Sequence, residues 1–324
     1  MTAPTARVEE RPGPSLRQQE SRAGLLLLSP TFVVVMAVII LPVLWTAFIS
    51  VRDLRLRDIR EVGIFGATFT LDNFIGVFTS RGFVDNLITT LIYSVVGTAL
   101  AIGLGLAAAL IVRAPFRGRT LVRASMLLPY VSPVVAVAFV WSVMLDPNLG
   151  IVNAFGEETL GWERPISFLS ERSSEVSIFG ATVGIPTALL TVIAFQAWRY
   201  FPFAFLFILA RLQAVPADLD EAAKVDGATP FQRFWHILLP QLSGVIALLA
   251  VLRLIWTFNE FDDIYLLTGG GAGTEVVAVG IYNRLTGRGD IGAAAAYSLV
   301  LAGLLAIFLL IYFRYFARRG DGAI

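Results

Sequence analysis

The 324-residue chain contains no cysteine, a single histidine (His236) and a single lysine (Lys224). Without thiols there can be no disulfide framework, thiolate metal site or cysteine nucleophile, and one imidazole leaves little from which to build a histidine metal centre or triad. Lys224 follows Ala223 rather than glycine, so the chain has no Walker A phosphate loop, and any ATP it depends on is bound by another subunit. Charge is scarce as well. Only 15% of residues are charged and the formal net charge is +1, which leaves no clustered positive excess for nucleic acid. What is abundant is apolar: 56% hydrophobic residues and 24 phenylalanines, with a mean hydropathy of +0.75, too apolar for a water-soluble fold of this length.

The apolar residues are gathered into long runs. Ala23–Val51, Asn86–Val112, Ala124–Leu145 and Ile291–Phe313 carry no charge, and each is long enough for a helix to cross a hydrocarbon core of about 30 Å. Two further runs contain ionisable groups: Arg199 in one, Arg253 and Glu260 in the other. The expected fold is an all-α membrane protein with six transmembrane helices, at about 23–49, 87–112, 121–145, 186–209, 242–261 and 291–313. The first apolar run is too long for the core of a signal peptide and has no small-residue cleavage site after a short core, so it reads as an uncleaved span. Residues 1–22, rich in proline and charge, read as a disordered cytoplasmic tail, and 317–324 as a second cytoplasmic tail.

Orientation follows from the basic residues. With both termini inside, the cytoplasmic segments hold 14 of them and the external segments nine, the asymmetry expected of a cell-membrane protein. An external cluster, Arg52, Arg55, Arg57 and Arg60, counts against this orientation; the short loop at 113–123 and both termini outweigh it. The external segments 52–85 and 146–185 lack the apolar periodicity of an independent domain and read as caps on the membrane body. The glycine run Gly269–Gly271 reads as a turn.

The segment 211–241 between the fourth and fifth spans is the most patterned part of the chain. Pro216 with Asp218 and Asp220 can open a short helix through Val225, Gly227 can break it, and Thr229-Pro230 can open a second helix that runs to Pro240. Alanines on one face allow close approach by another protein, and the acidic run 218–221 offers carboxylates to a basic pocket on that partner. Glu-Ala-Ala alone is ordinary helix sequence. Here Glu221-Ala222-Ala223 is followed after three residues, the last of them Asp226, by Gly227, and after nine more by Ile237-x-Leu239-Pro240. This spacing resembles the coupling-loop signature of permease subunits in binding-protein-dependent ABC importers. Phe261 to Gly271 is similar to the segment after the fifth core span in the carbohydrate branch of that family, the maltose and glycerol-3-phosphate type, in its first permease subunit. Ala272 stands where relatives usually have proline. The resemblance covers about residues 23–316, including the turn from Gly150 to Asn153.

The resemblance implies an importer-permease fold with a cytoplasmic helix-turn-helix coupling loop and no catalytic residues or cofactor of its own. It also implies partners: two ABC ATPase subunits that bind ATP and Mg, a second permease in a heterodimer, an extracytoplasmic solute-binding protein and a sugar-type solute.

Charged groups within spans should face the bundle interior. Helical spacing puts Arg253, Trp256 and Glu260 on one face, with Asn259 and Asp263 adjoining, and a lining of aromatic and polar groups suits a sugar. By resemblance to maltose-type permeases, Arg199, Tyr200, Phe203, Trp256, Asn259 and Glu260 fall in the region of the solute site, and Arg253 shares their face. The alternative reading of that face is an Arg253–Glu260 ion pair that holds spans together. At the level of function, the alternatives are a self-contained secondary transporter, which needs no docking loop, and an intramembrane enzyme, which needs facing nucleophile and base residues that the lone His236 does not supply.

Overall fold

The computed structural model describes residues 16–178 and 181–315. Most of the two expected tails lies outside the described residues, but α1 (Leu16–Val35) begins within the segment expected to be disordered. From Leu16 to Ala23 there is no proline or glycine to oppose the helix. Through a five-residue π-turn (Met36–Ile40), α1 runs on into α2 (Leu41–Ser50). The 27-residue stretch Gly24–Ser50 is apolar enough to cross a membrane, and its leucines and valines from Leu25 to Leu44 are exposed, as lipid-facing groups should be. Pro42 explains the π-turn: it has no N–H, and its ring crowds the carbonyl four residues back. Leu41 N–H bonds instead to Met36 O, five residues back.

Next comes a cap of two short helices, α3 (Ile59–Gly66) and α4 (Asp72–Thr79). Backbone ties pin it to both ends of the fold: Leu56 N–H donates to Gly289 O at 2.7 Å and Ile291 N–H to Leu54 O at 3.1 Å, while Asn73 Nδ2 donates to Ser50 O and Arg52 O at 2.9 and 2.8 Å. Part of the arginine cluster at 52–60 is consumed here. Arg52 lies over the Phe48 ring at 4.6 Å and donates to Ala67 O, and Arg57 pairs with Asp58 at 3.2 Å.

The second span is α5 (Arg81–Ile111). The expected single span at 121–145 is broken into α6 (Arg119–Ser125), α7 (Leu128–Val131) and α8 (Val134–Met144), with a 95° bend between the first two and the third. The cause is Pro133. The residue before a proline is pushed out of helical conformation, and Ser132 has φ −68°, ψ 143°. A second cap then carries α9 (Ile151–Leu160) and the antiparallel hairpin β1 (Ser174–Ile178) and β2 (Ala181–Ile185), with Ser174 opposite Ile185.

The remaining helices are α10 (Thr187–Gln213), α11 (Ala217–Val225), α12 (Pro230–Arg233), α13 (Leu239–Phe258), α14 (Asp262–Thr268), α15 (Val277–Thr286) and α16 (Ile291–Tyr315). Among the described residues five helices are long and apolar enough to span a membrane, six if the bent pair is one span. Helices α5 and α10 form the spine. Gly97, Ala101, Gly105 and Ala109 recur every fourth residue and let the two backbones approach closely, as small residues do between membrane helices. A methyl group at Gly105 would sit 2.7 Å from Ala204 Cβ and 2.8 Å from Phe205 N.

Candidate functional site: a docking loop and a buried polar cluster

The first site is the segment between α10 and α13. Helix α11 ends as glycine-terminated helices do: Asp226 is the last residue near helical conformation, Gly227 has φ +78°, and Ala228 N–H reaches back to Ala223 O at 2.9 Å. Thr229 then caps α12 reciprocally with Gln232, its hydroxyl accepting from Gln232 N–H and its own N–H donating to the Gln232 side chain at 2.8 Å. Glu221, Ala222, Asp226 and Gly227 are exposed, while Ala223 is half-buried. Leu219, Val225, Phe231 and Trp235 add exposed apolar surface.

Two expectations for this loop are corrected. Asp220 does not offer its carboxylate outward: it pairs with Lys224 Nζ and Arg233 Nη1, each at 2.9 Å, and so ties α11 to α12. The hydrogen bond from Lys224, followed by the charge of Arg233, holds its carboxyl below the ordinary carboxylate range. Nor does the second helix end at Pro240. A π-turn (Phe234–Leu238), in which Leu239 N–H bonds to Phe234 O, accommodates the proline, and the helix runs unbroken from Pro230 to Phe258. Ile237 and Leu239 are half-buried around that turn and Pro240 is exposed. His236 is an exposed helix residue whose Nδ1 lies 3.0 Å from Gln232 O.

The second site lies at the far end of that helix. Arg253 is 1% exposed. Its guanidinium stacks on the Tyr200 ring at 3.9 Å and Nη2 donates to Thr257 Oγ1 at 3.1 Å. The Gln196 amide satisfies its neighbours with its oxygen toward them, accepting from Arg253 Nη2 at 2.7 Å and Thr257 Oγ1 at 3.0 Å. Gly97 makes room for it, since a methyl group there would lie 2.8 Å from Gln196 Cδ. Arg199 is ion-paired with Asp263 and donates to Tyr200 Oη at 2.9 Å; Tyr200 in turn donates to Glu260 Oε2 at 3.2 Å. The structure therefore does not form an Arg253–Glu260 ion pair. The acid that neutralises a span arginine is Asp263, on Arg199.

Beside these charges runs a strip of rings. Phe203 meets Trp256, Phe207 and Tyr130 at centroid distances of 5.2, 4.9 and 6.0 Å, and Tyr130 meets Tyr200 at 6.2 Å. Trp256, Phe207 and Tyr130 are 46%, 43% and 42% exposed, so the strip presents open ring surface beside Glu260. Of the residues singled out in the sequence, Arg199, Tyr200, Phe203, Arg253, Trp256 and Glu260 are brought together here. Asn259 is not: its amide donates to Ile255 O at 2.9 Å and it lines an apolar groove with Phe261, Ile281 and Tyr282. Sequence reasoning missed Gln196, Thr257, Phe207 and Tyr130. Only Tyr130 had a signal, its place between Pro129 and Pro133 where a span must break.

Residues 101–320 match the family described as the binding-protein-dependent transport system inner membrane component. The trehalose/maltose transport system permease protein MalF of Thermococcus litoralis is 34% identical over 304 residues, covering 92% of this chain and 95% of that protein. The inner membrane ABC transporter permease protein YcjO of Escherichia coli is 34% identical over 280 residues, covering 86% and 88%. A chain of a bacterial ABC transporter involved in the import of alginate shares the fold, with a TM-score of 0.74 at 22% identity over 94% of this chain and 98% of that one. The chain belongs to the binding-protein-dependent transport system inner membrane component family. It is a multi-pass membrane permease.

Proposed function

We propose that the chain is one of two different permease subunits of an ATP-driven sugar importer, with both termini in the cytoplasm. ATP and Mg are bound by two partner ATPase subunits, and an external binding protein delivers the solute. The observation that carries this reading is the unbroken helix Pro230–Phe258, which has the exposed Glu221–Gly227 projection next to its first turn and Arg253 and Trp256 near its last. Closure of an ATPase dimer against α11 and α12 would move this helix as a lever, and with it the strip of rings. Alternating access then requires no covalent chemistry from this chain. Open rings beside a carboxylate suit a sugar, whose C–H faces stack on aromatics while its hydroxyls donate to acceptors. The likeness to a trehalose/maltose permease over 92% of the chain supports the same class.

The test uses the assembled transporter carrying Glu221→Lys or Gly227→Pro. Both variants should insert in the membrane at wild-type levels, and both should lose uptake and binding-protein-stimulated ATP hydrolysis. Full uptake by both would favour a secondary transporter that needs no docking loop.

A further inference from the structure

The two span arginines are the obvious attraction for a phosphate- or carboxylate-bearing solute, yet neither is free to act as one. Arg253 is 1% exposed and its guanidinium is engaged by the Tyr200 face, Thr257 and Gln196. Arg199 has a side chain 15% exposed and is ion-paired with Asp263, whose side chain is 0% exposed. Two cations and two carboxylates, Asp263 and Glu260, give the cluster no net charge when all four are ionised. An anionic solute that recruited Arg199 would strand Asp263 as an unpaired buried charge, the costly way to break such a pair. It would also bring its own charge beside Glu260. A second oxygen of Asp263, Oδ2, is already buried without a hydrogen-bond partner, so that carboxylate depends on Arg199 all the more. An uncharged polyol incurs neither cost.

We infer that Asp263 is a specificity-determining residue: by occupying Arg199 it makes the path refuse anionic solutes and restricts it to uncharged sugars. The inference rests on the reading that the strip of rings lines the solute path. Asp263 acts through Arg199 and is a positioning residue rather than a solute contact.

The experiment is calorimetric titration of the purified, assembled transporter with glycerol 3-phosphate as the anionic probe. Wild type should show no heat of binding in the low millimolar range. Asp263→Asn, which keeps the shape and removes the charge, should bring binding of the probe into the low millimolar range or below, a gain of about tenfold or more over the wild-type detection limit, the scale of one hydrogen bond to a charged group. The double variant Arg199→Gln/Asp263→Asn should return to the wild-type baseline, and Asp263→Glu should keep it. Binding by wild type that Arg199→Gln abolishes would overturn the inference, as would an Asp263→Asn variant that assembles and melts like wild type but does not bind. Failure of the underlying reading has a different signature: Trp256→Ala and Phe203→Ala would leave the KM of solute uptake unchanged, whatever the charge variants do.

Discussion

The two ends of the helix Pro230–Phe258 follow opposite rules. At the docking end the side chains that matter are small or exposed and the backbone geometry is set by local devices, the Gly227 turn and the Thr229–Gln232 cap, with Asp220 tied to Lys224 and Arg233 four and thirteen residues away. At the cluster end Arg253, Gln196, Thr257 and Asp263 are buried, and the contacts that join the helices link residues far apart in sequence, such as Arg199 with Asp263 across 64 residues and Gln196 with Thr257 across 61. A local projection can be written in short-range spacing. A buried polar cluster must be assembled from several helices, and its stability then depends on how they meet.

This contrast predicts that damage at the cluster end appears first as lost stability and damage at the docking end first as lost coupling. The largest effect should come from Arg199→Ala, which breaks the ion pair and strands Asp263 as an unpaired buried carboxylate. A loss of about 3–5 kcal/mol is expected, measured by denaturant unfolding in detergent; a loss below 1 kcal/mol would mean the cluster is wetter than its burial indicates. Next is Gly97→Val, which drives a side chain into Gln196 at the α5–α10 contact and should cost about 1–3 kcal/mol by overpacking. At the docking end, Thr229→Ala removes one half of the reciprocal cap and should cost about 1 kcal/mol, seen as faster hydrogen exchange confined to 230–238 with the unfolding midpoint of the bundle unchanged.

The smallest effect is one of pH. The folded-state pKa of Asp220 is depressed, so its tie between α11 and α12 is present above the ordinary aspartate value of about 3.9 and is lost only as pH falls through the lowered value. Exchange across 218–233, corrected for its intrinsic pH dependence, should therefore be flat from pH 8 to 5. A step between pH 5 and 7 would point to another titrating group.

The same contrast governs what could be read from the sequence. Four of the apolar runs were legible because roughly 20 uncharged residues suffice to cross a bilayer, and the two-helix projection between α10 and α13 because Glu221 through Pro240 is one local pattern. The break in the third span was written in Pro133, but a long uncharged run masks a bend. The helix through Pro240 was misjudged because a proline reads as a stop, whereas one wider turn before it lets the helix continue. In the cluster, helical spacing puts Arg253, Trp256 and Glu260 on one face with Asn259 adjoining, whereas α13 ends at Phe258, Glu260 reaches the cluster from beyond it through Tyr200, and the Asn259 amide is spent on Ile255 O. No spacing on one helix can say that Arg199 takes Asp263, because that choice depends on how α10 and α14 meet.

The π-turn at Phe234–Leu238 has a consequence for register. Such a turn holds one residue more than the α-helix around it, and each residue of an α-helix advances the direction of the next by about 100°. Deleting a residue between 234 and 238 removes only the one that the wide turn absorbs and leaves α11 and α12 facing nearly the same way, whereas deleting one from the regular helix of α13 would swing them by roughly 100° about its axis. In the second case the cluster at Arg253 would keep its place while the docking face pointed elsewhere: a transporter with an intact path whose motor engages the wrong side.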